Sequence, residues 1–186
     1  MDVANGSTYT HLYGGALGIQ LPGDFNDLSD IMPIEDNQEV FTDMKYDAKL
    51  IIEVLECLDL NDETALSSNF KELAETQNAT DVCIEKCGIN AEVAPKIRGS
   101  NIIKSYLKGT QHIIPSKRAD EDREEVTLFM VHLRLKEHDA DILVTLNVPN
   151  KAANTDSYED VLNYHTNVFE NMNRTLEIRD LSLLFG

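Results

Sequence analysis

Apolar and polar residues alternate most clearly in the second half of the chain. Phe129, Val131, Leu133 and Leu135 alternate within 126–135, and Ile142, Val144, Leu146 and Val148 within 142–148, either side of a polar stretch at 136–141. This pattern predicts an antiparallel hairpin that closes before Pro149. Ile, Val and Leu crowd residues 50–58, which reads as a buried strand, although the length also permits a short helix. Further strands are predicted over 12–21, over 81–87 and over 101–114, the last as one long strand or a pair. In the first of these Leu17, Ile19 and Leu21 share a face, Gly14, Gly15 and Gly18 mark a close approach or a bulge, and Pro22-Gly23 ends the run.

Helical spacing occurs twice. Leu66, Phe70 and Leu73 fall at i, i+4 and i+7, predicting a helix over about 63–76 with Asn61 or Asp62 as its cap. Tyr158, Leu162, His165, Phe169 and Met172 form the apolar stripe of a second helix, from Ser157 to about Arg174, and Ser157 with Asp160 has capping-box spacing. Six strand candidates and two amphipathic helices describe an α+β domain whose mainly antiparallel sheet is covered by helices. Residues 24–47, polar and acidic around Pro33, are expected to be an irregular loop, and 116–125 a solvated loop.

At 186 residues the chain is the size of one domain, with residues 1–11 expected to form a flexible amino-terminal extension. A composition of 42% hydrophobic and 26% charged residues suits a chain that folds without disulfides or a structural metal. Three cysteines, Cys57, Cys83 and Cys87, cannot all pair internally, which fits a reducing compartment, the cytosol or nucleus. No apolar run approaches the roughly 20 residues of a spanning helix, and residues 1–10 lack the basic start and apolar core of a secretory signal.

A net charge of −17 argues against nucleic acid and anionic lipid as partners, because both repel such a chain. The charge is polarised. Residues 24–85 hold 17 acids against Lys45, Lys49 and Lys71, a net −14, whereas 86–118 hold seven bases against Glu92, a net +6. An acidic face can steer a basic protein partner, and it can equally serve solubility alone.

Phosphate-loop, dinucleotide, zinc-protease, nucleophile-elbow and CxxC motifs are all missing. Cys83 and Cys87, four apart on a strand, would share a face about 13 Å from each other, too far to bridge or to hold one ion, and are expected to be buried apolar filler. His132 and His165 read as hydrogen-bonded packing residues, since no sequence neighbour completes a catalytic relay. No catalytic residue, cofactor or metal is therefore expected.

Pro33-Ile34-Glu35-Asp36-Asn37-Gln38-Glu39-Val40-Phe41 combines a turn former, an acidic cluster and an apolar pair. Read alone, it is a loop in which Asp36 or Asn37 makes an Asx turn while Val40 and Phe41 anchor it from beneath. With Leu12-Tyr13-Gly14-Gly15-Ala16 some twenty residues earlier, it closely resembles the Ran guanine-nucleotide release factor family, the Mog proteins. The resemblance continues in order through residues 50–56, Leu133-Arg134-Leu135, residues 141–149 and the ending Asp180-Leu181-Ser182-Leu183-Leu184-Phe185.

That resemblance implies a six-stranded antiparallel sheet with helices on both faces, an α/β/α sandwich. It further implies binding of the small GTPase Ran, promotion of nucleotide release, and a part in nuclear protein import, in nucleus and cytoplasm. The family's acidic Ran-contact motif falls on Asp36 and Glu39, with Gln38 between them and Glu35 and Asn37 beside them. Glu35 departs from the pattern, since many members carry proline there; the fixed φ is lost and a charge is gained. The resemblance leaves open whether a second Ran-binding protein joins the complex. Two other classes remain: a passive acidic binding module, and a small enzyme or ligand carrier with a pocket in the covered sheet.

Overall fold

Strand β8 (Glu124–Leu135) explains how the chain layers itself. Its residues Phe129, Val131, Leu133 and Leu135 enter one apolar core, while Val126, Leu128 and Met130 enter a second on the opposite face. A strand buried on both sides needs an almost continuous apolar run, and cover above and below.

The structure, a computed structural model, describes residues 6–89, 102–114, 123–151 and 156–185. In chain order the other elements are β1 Thr8–Leu12, β2 Leu17–Leu21, β3 Phe25–Asp27, β4 Gln38–Asp43, β5 Ala48–Glu56, α1 Asp62–Thr76, β6 Thr80–Ile89, β7 Ile103–Ile113, β9 Ala140–Pro149, α2 Tyr158–Thr175, β10 Glu177–Ile178 and α3 Ser182–Phe185. A seven-stranded sheet runs β3-β4-β5-β9-β8-β7-β6, and a three-stranded sheet runs β1-β2-β10. Every strand pair is antiparallel.

Helix α2 and the small sheet lie on one face of the large sheet. There Val161, Val168, Phe169 and Met172 join Leu12, Leu17, Ile19, Phe41, Leu50 and the odd-numbered side of β8. Helix α1 covers the other face, placing Leu66 and Phe70 against Leu107, Leu128, Met130 and Leu143. Both helices start on the expected caps: Asn61 accepts from the Thr64 N–H at 2.9 Å, and Ser157 with Asp160 closes a capping box. Gly109 lets α1 approach β7, since a Cβ there would lie 2.7 Å from the Phe70 ring and 2.7 Å from the Cys83 carbonyl oxygen.

The α+β class and antiparallel pairing agree with the sequence reading, and the hairpin over 126–148 is β8–β9 in the register Val126↔Pro149 to Leu135↔Ala140. The six-strand expectation is corrected to seven strands in the large sheet and three in a separate one. One cause is the expected strand over 12–21. Positive φ at Tyr13 (49°), Gly14 (63°) and Gly15 (100°) turns the chain back, so Thr8–Leu12 pairs with Leu17–Leu21. Thr8–His11 of the expected amino-terminal extension are therefore paired, while residues 1–5 lie outside the described residues. A second cause is the expected irregular loop at 24–47, which contains β3 and β4. Only Val40 and Phe41 in β4 are apolar, so the strand leaves almost no hydrophobic signature.

The cysteine expectation is also corrected. Cys83 and Cys87 are exposed on the edge strand β6, where a register shift between Ile84 and Lys86 sets Cys83 opposite Thr110 and Cys87 opposite Leu107. The shift places them on different faces. Most of the expected 116–125 loop, and residues 90–101 and 115–118 of the basic segment, lie outside the described residues.

Candidate partner-binding site

The site begins at the turn after β1. A bulky residue rarely adopts positive φ, and at Gly15, with φ 100°, any side chain is strained. The turn aims both ends of Tyr13 at the start of β4. Its backbone N–H donates to Glu39 Oε1 at 2.7 Å, and its hydroxyl lies 2.9 Å from the Asn37 carbonyl oxygen and 2.7 Å from that of Ile52. Burial first, then the charges of Glu39 and Glu53, hold the Tyr13 hydroxyl well above the usual phenol range. It is thus a neutral donor whose one proton serves two acceptors.

Strand alternation sends Gln38 and Glu39 to opposite faces of the sheet. Gln38 donates through Nε2 to Glu53 Oε1 at 2.7 Å, while Glu39 faces Tyr13. Burial raises the Glu53 carboxyl above its ordinary value, and the bond from Gln38 opposes that rise. Asn37 is fixed in both directions to β5: its side-chain amide donates to the Val54 carbonyl at 3.2 Å, and the Val54 N–H donates to the Asn37 carbonyl at 2.9 Å. Asn37 gives its side-chain NH2 to β5, and among the described residues no side-chain oxygen of Asp36 or Asn37 accepts the backbone N–H that the expected Asx turn requires.

Glu35, Asp36 and Asn37 are exposed, Gln38 and Glu39 are half-buried, and Val40 and Phe41 are buried. An open groove of about 540 Å³ lies along this segment, and four carboxylates, Asp30, Glu35, Asp36 and Glu39, line it. Among the described residues no basic side chain lines the groove. Like charges this close favour a cationic occupant. Sequence spacing shows none of the link through Tyr13, although Tyr13 stands inside the first of the segments that carry the resemblance. Replacing Tyr13 with phenylalanine keeps the ring and the backbone bond to Glu39 and removes the hydroxyl. We expect a loss of about 1–2 kcal/mol in urea denaturation.

The two histidines have carboxylate neighbours that the sequence cannot reveal. His132 Nε2 lies 3.0 Å from Asp141 Oδ2, and Ser105 stands opposite His132 on β7. All three side chains are buried, and the Ser105 hydroxyl has no hydrogen-bond partner among the described residues. His165 Nδ1 meets the Val161 carbonyl at 2.8 Å, and its Nε2 lies 3.4 Å from Asp43 Oδ2, so this pair ties α2 to the far end of β4. Both histidines are fully buried, consistent with packing roles. Among the described residues no group of three or more His, Cys, Asp or Glu side chains is placed to hold a metal ion, and no helix is long and apolar enough to cross a membrane.

The family profile described as Mog1, Ran-interacting Mog1 protein, matches residues 10–149, a span that includes Tyr13 and the whole groove. The chain belongs to the Mog1 family. A relative from Homo sapiens named Ran guanine nucleotide release factor is 34% identical over 139 residues, covering 74% of each chain. The Schizosaccharomyces pombe nuclear import protein mog1 is 29% identical over 156 residues, covering 81% of this chain and 82% of its own. The crystal structure of the Saccharomyces cerevisiae Ran-binding protein Mog1p superposes with a TM-score of 0.72 at 19% identity, covering 97% of this chain and 99% of the other. That likeness extends the Mog1 fold beyond the profile match, into α2 and the carboxy-terminal strand and helix.

Proposed function

We propose that this chain binds the GTPase Ran through the acidic groove and promotes release of its guanine nucleotide, acting in nuclear import as a regulator between nucleus and cytoplasm. The names of the Mog1 relatives support the partner and the process. One observation carries the choice of surface: the turn at 12–16 and the acidic segment at 36–41, distant in sequence, meet through Tyr13 and Glu39.

A GTPase holds its nucleotide with a phosphate-cradling loop, a lysine and Mg²⁺, all suited to negative charge. A release factor binds the opened GTPase more tightly than the loaded one, since equal affinity for both shifts nothing. Asp36 is the exposed anion that engages basic groups on Ran. Glu39 supplies the second, with one oxygen fixed by the Tyr13 N–H so that the carboxylate is held in place before the partner arrives.

The test is the rate at which Ran loaded with a fluorescent guanine nucleotide loses it as this chain is added. Release should accelerate with chain concentration and saturate. Binding without acceleration would make the protein a passive acidic module, and no binding to loaded or nucleotide-free Ran would remove the proposal.

A further inference from the structure

Ile31 and Met32 are 70% and 51% exposed, side by side in a segment rich in acidic residues. Their exposure is built into the turn. The N–H groups of both residues donate to the Leu28 carbonyl at 3.0 Å, the Leu28 N–H donates to the Val40 carbonyl at 2.8 Å, and Asp27 Oδ1 accepts from the Ser29 N–H at 2.8 Å. Pro33 follows and fixes the exit. The apolar pair is thus anchored to the strand that carries Glu39 and lines the same groove as Asp30, Glu35, Asp36 and Glu39.

A groove lined by both exposed apolar side chains and carboxylates matches one kind of side chain. Lysine and arginine carry a methylene stem that gains from apolar cover and a cationic head that needs an anion. Resting on the functional reading above, we infer that the groove takes a single lysine or arginine of Ran end to end, with its stem along Ile31 and Met32 and its head between Asp36 and Glu39. The carboxylates provide attraction and the apolar pair provides residence. The site's specificity then lies in residues outside the acidic motif, since a purely electrostatic surface would accept any basic protein.

Ran affinity, measured by titration at low salt and at about 0.5 M salt, tests this with three variants. Ile31→Ser with Met32→Ser should weaken binding by about tenfold at both salt concentrations, because apolar contact is not screened. Asp36→Asn with Glu39→Gln should give a loss that shrinks as salt rises. Met44→Ser, which removes an equally exposed side chain (69%) outside the groove lining, should bind like the wild type. All three alter exposed or half-buried positions, and unchanged thermal melts will confirm folding. Serine-variant binding within twofold of the wild type, or a loss that fades with salt, overturns the apolar contact while leaving the functional reading standing. A wild-type chain that binds no form of Ran overturns both.

Discussion

Neutralising Asp36 and Glu39 together is expected to weaken Ran binding by about 10- to 30-fold at low ionic strength and to slow nucleotide release in proportion. The magnitude follows from two solvent-facing charge pairs at about 1 kcal/mol each, with tenfold per 1.4 kcal/mol. The choice of substituent matters at Glu39. Glutamine keeps an oxygen that can accept from the Tyr13 N–H, so Glu39→Gln removes charge and spares the turn, whereas Glu39→Ala removes both. Exposed Asp36 has no such structural duty, and Asp36→Asn alone should act mainly on the association rate, fading with salt. If the double variant binds and releases as the wild type does at low and moderate salt, these carboxylates are not the contact.

What the sequence reveals of this molecule depends on how local each signal is. The β8–β9 hairpin is legible because two alternating runs flank one polar turn, and the helices because Asn61 and Ser157 cap apolar stripes. The reversal at Tyr13 is not legible, since a tyrosine at φ 49° breaks the usual preference and contacts remote in sequence, to Glu39, Asn37 and Ile52, help to hold it there. Strand β4 is hidden for a related reason: its end residue Asp43 is fully buried against His165, so a polar residue stands where an apolar one is the usual sign of a core. The acidic segment is recognisable through its resemblance to the family. Ile31 and Met32, by contrast, look like ordinary loop residues until the turn at Leu28 places them beside the carboxylates. The cysteines are exposed because β6 is the edge strand of its sheet, a placement no spacing rule anticipates, and the register shift only sets them on different faces.

Arg134 is the position where a single substitution should cost most stability. Its guanidinium is buried and has five partners. Nη1 donates to the Leu60 carbonyl and to Asp62 Oδ1, both at 2.8 Å, Nη2 meets the Leu58 carbonyl and Cys57 Sγ, and Nε lies 3.4 Å from Asp141 Oδ1. One side chain thereby fastens β8 to β9, to the connection after β5 and to the first turn of α1. Methionine fills much of the stem's volume but supplies no donor, leaving two part-buried carbonyls and the buried Asp141 short of a partner. Arg134→Met should therefore lose about 3–5 kcal/mol in chemical denaturation at neutral pH. The deficit should depend on pH. The Asp62 carboxyl is held below its ordinary 3.8 by the hydrogen bond from Lys136 and the charges of Lys136 and Arg134. Burial raises the Asp141 carboxyl, but His132 and Arg134 outweigh it, and the net displacement from 3.8 is also downward. A carboxyl depressed in the folded state stabilises the fold above its unfolded pKa, and that stabilisation is lost as pH falls through the folded value. The gap between wild type and Arg134→Met should accordingly be widest at neutral pH and narrow below about pH 4. Denaturation curves of both proteins across that range decide it: a gap that stays constant into acid would mean that Arg134 acts through packing and its carbonyl bonds, not through the two aspartates.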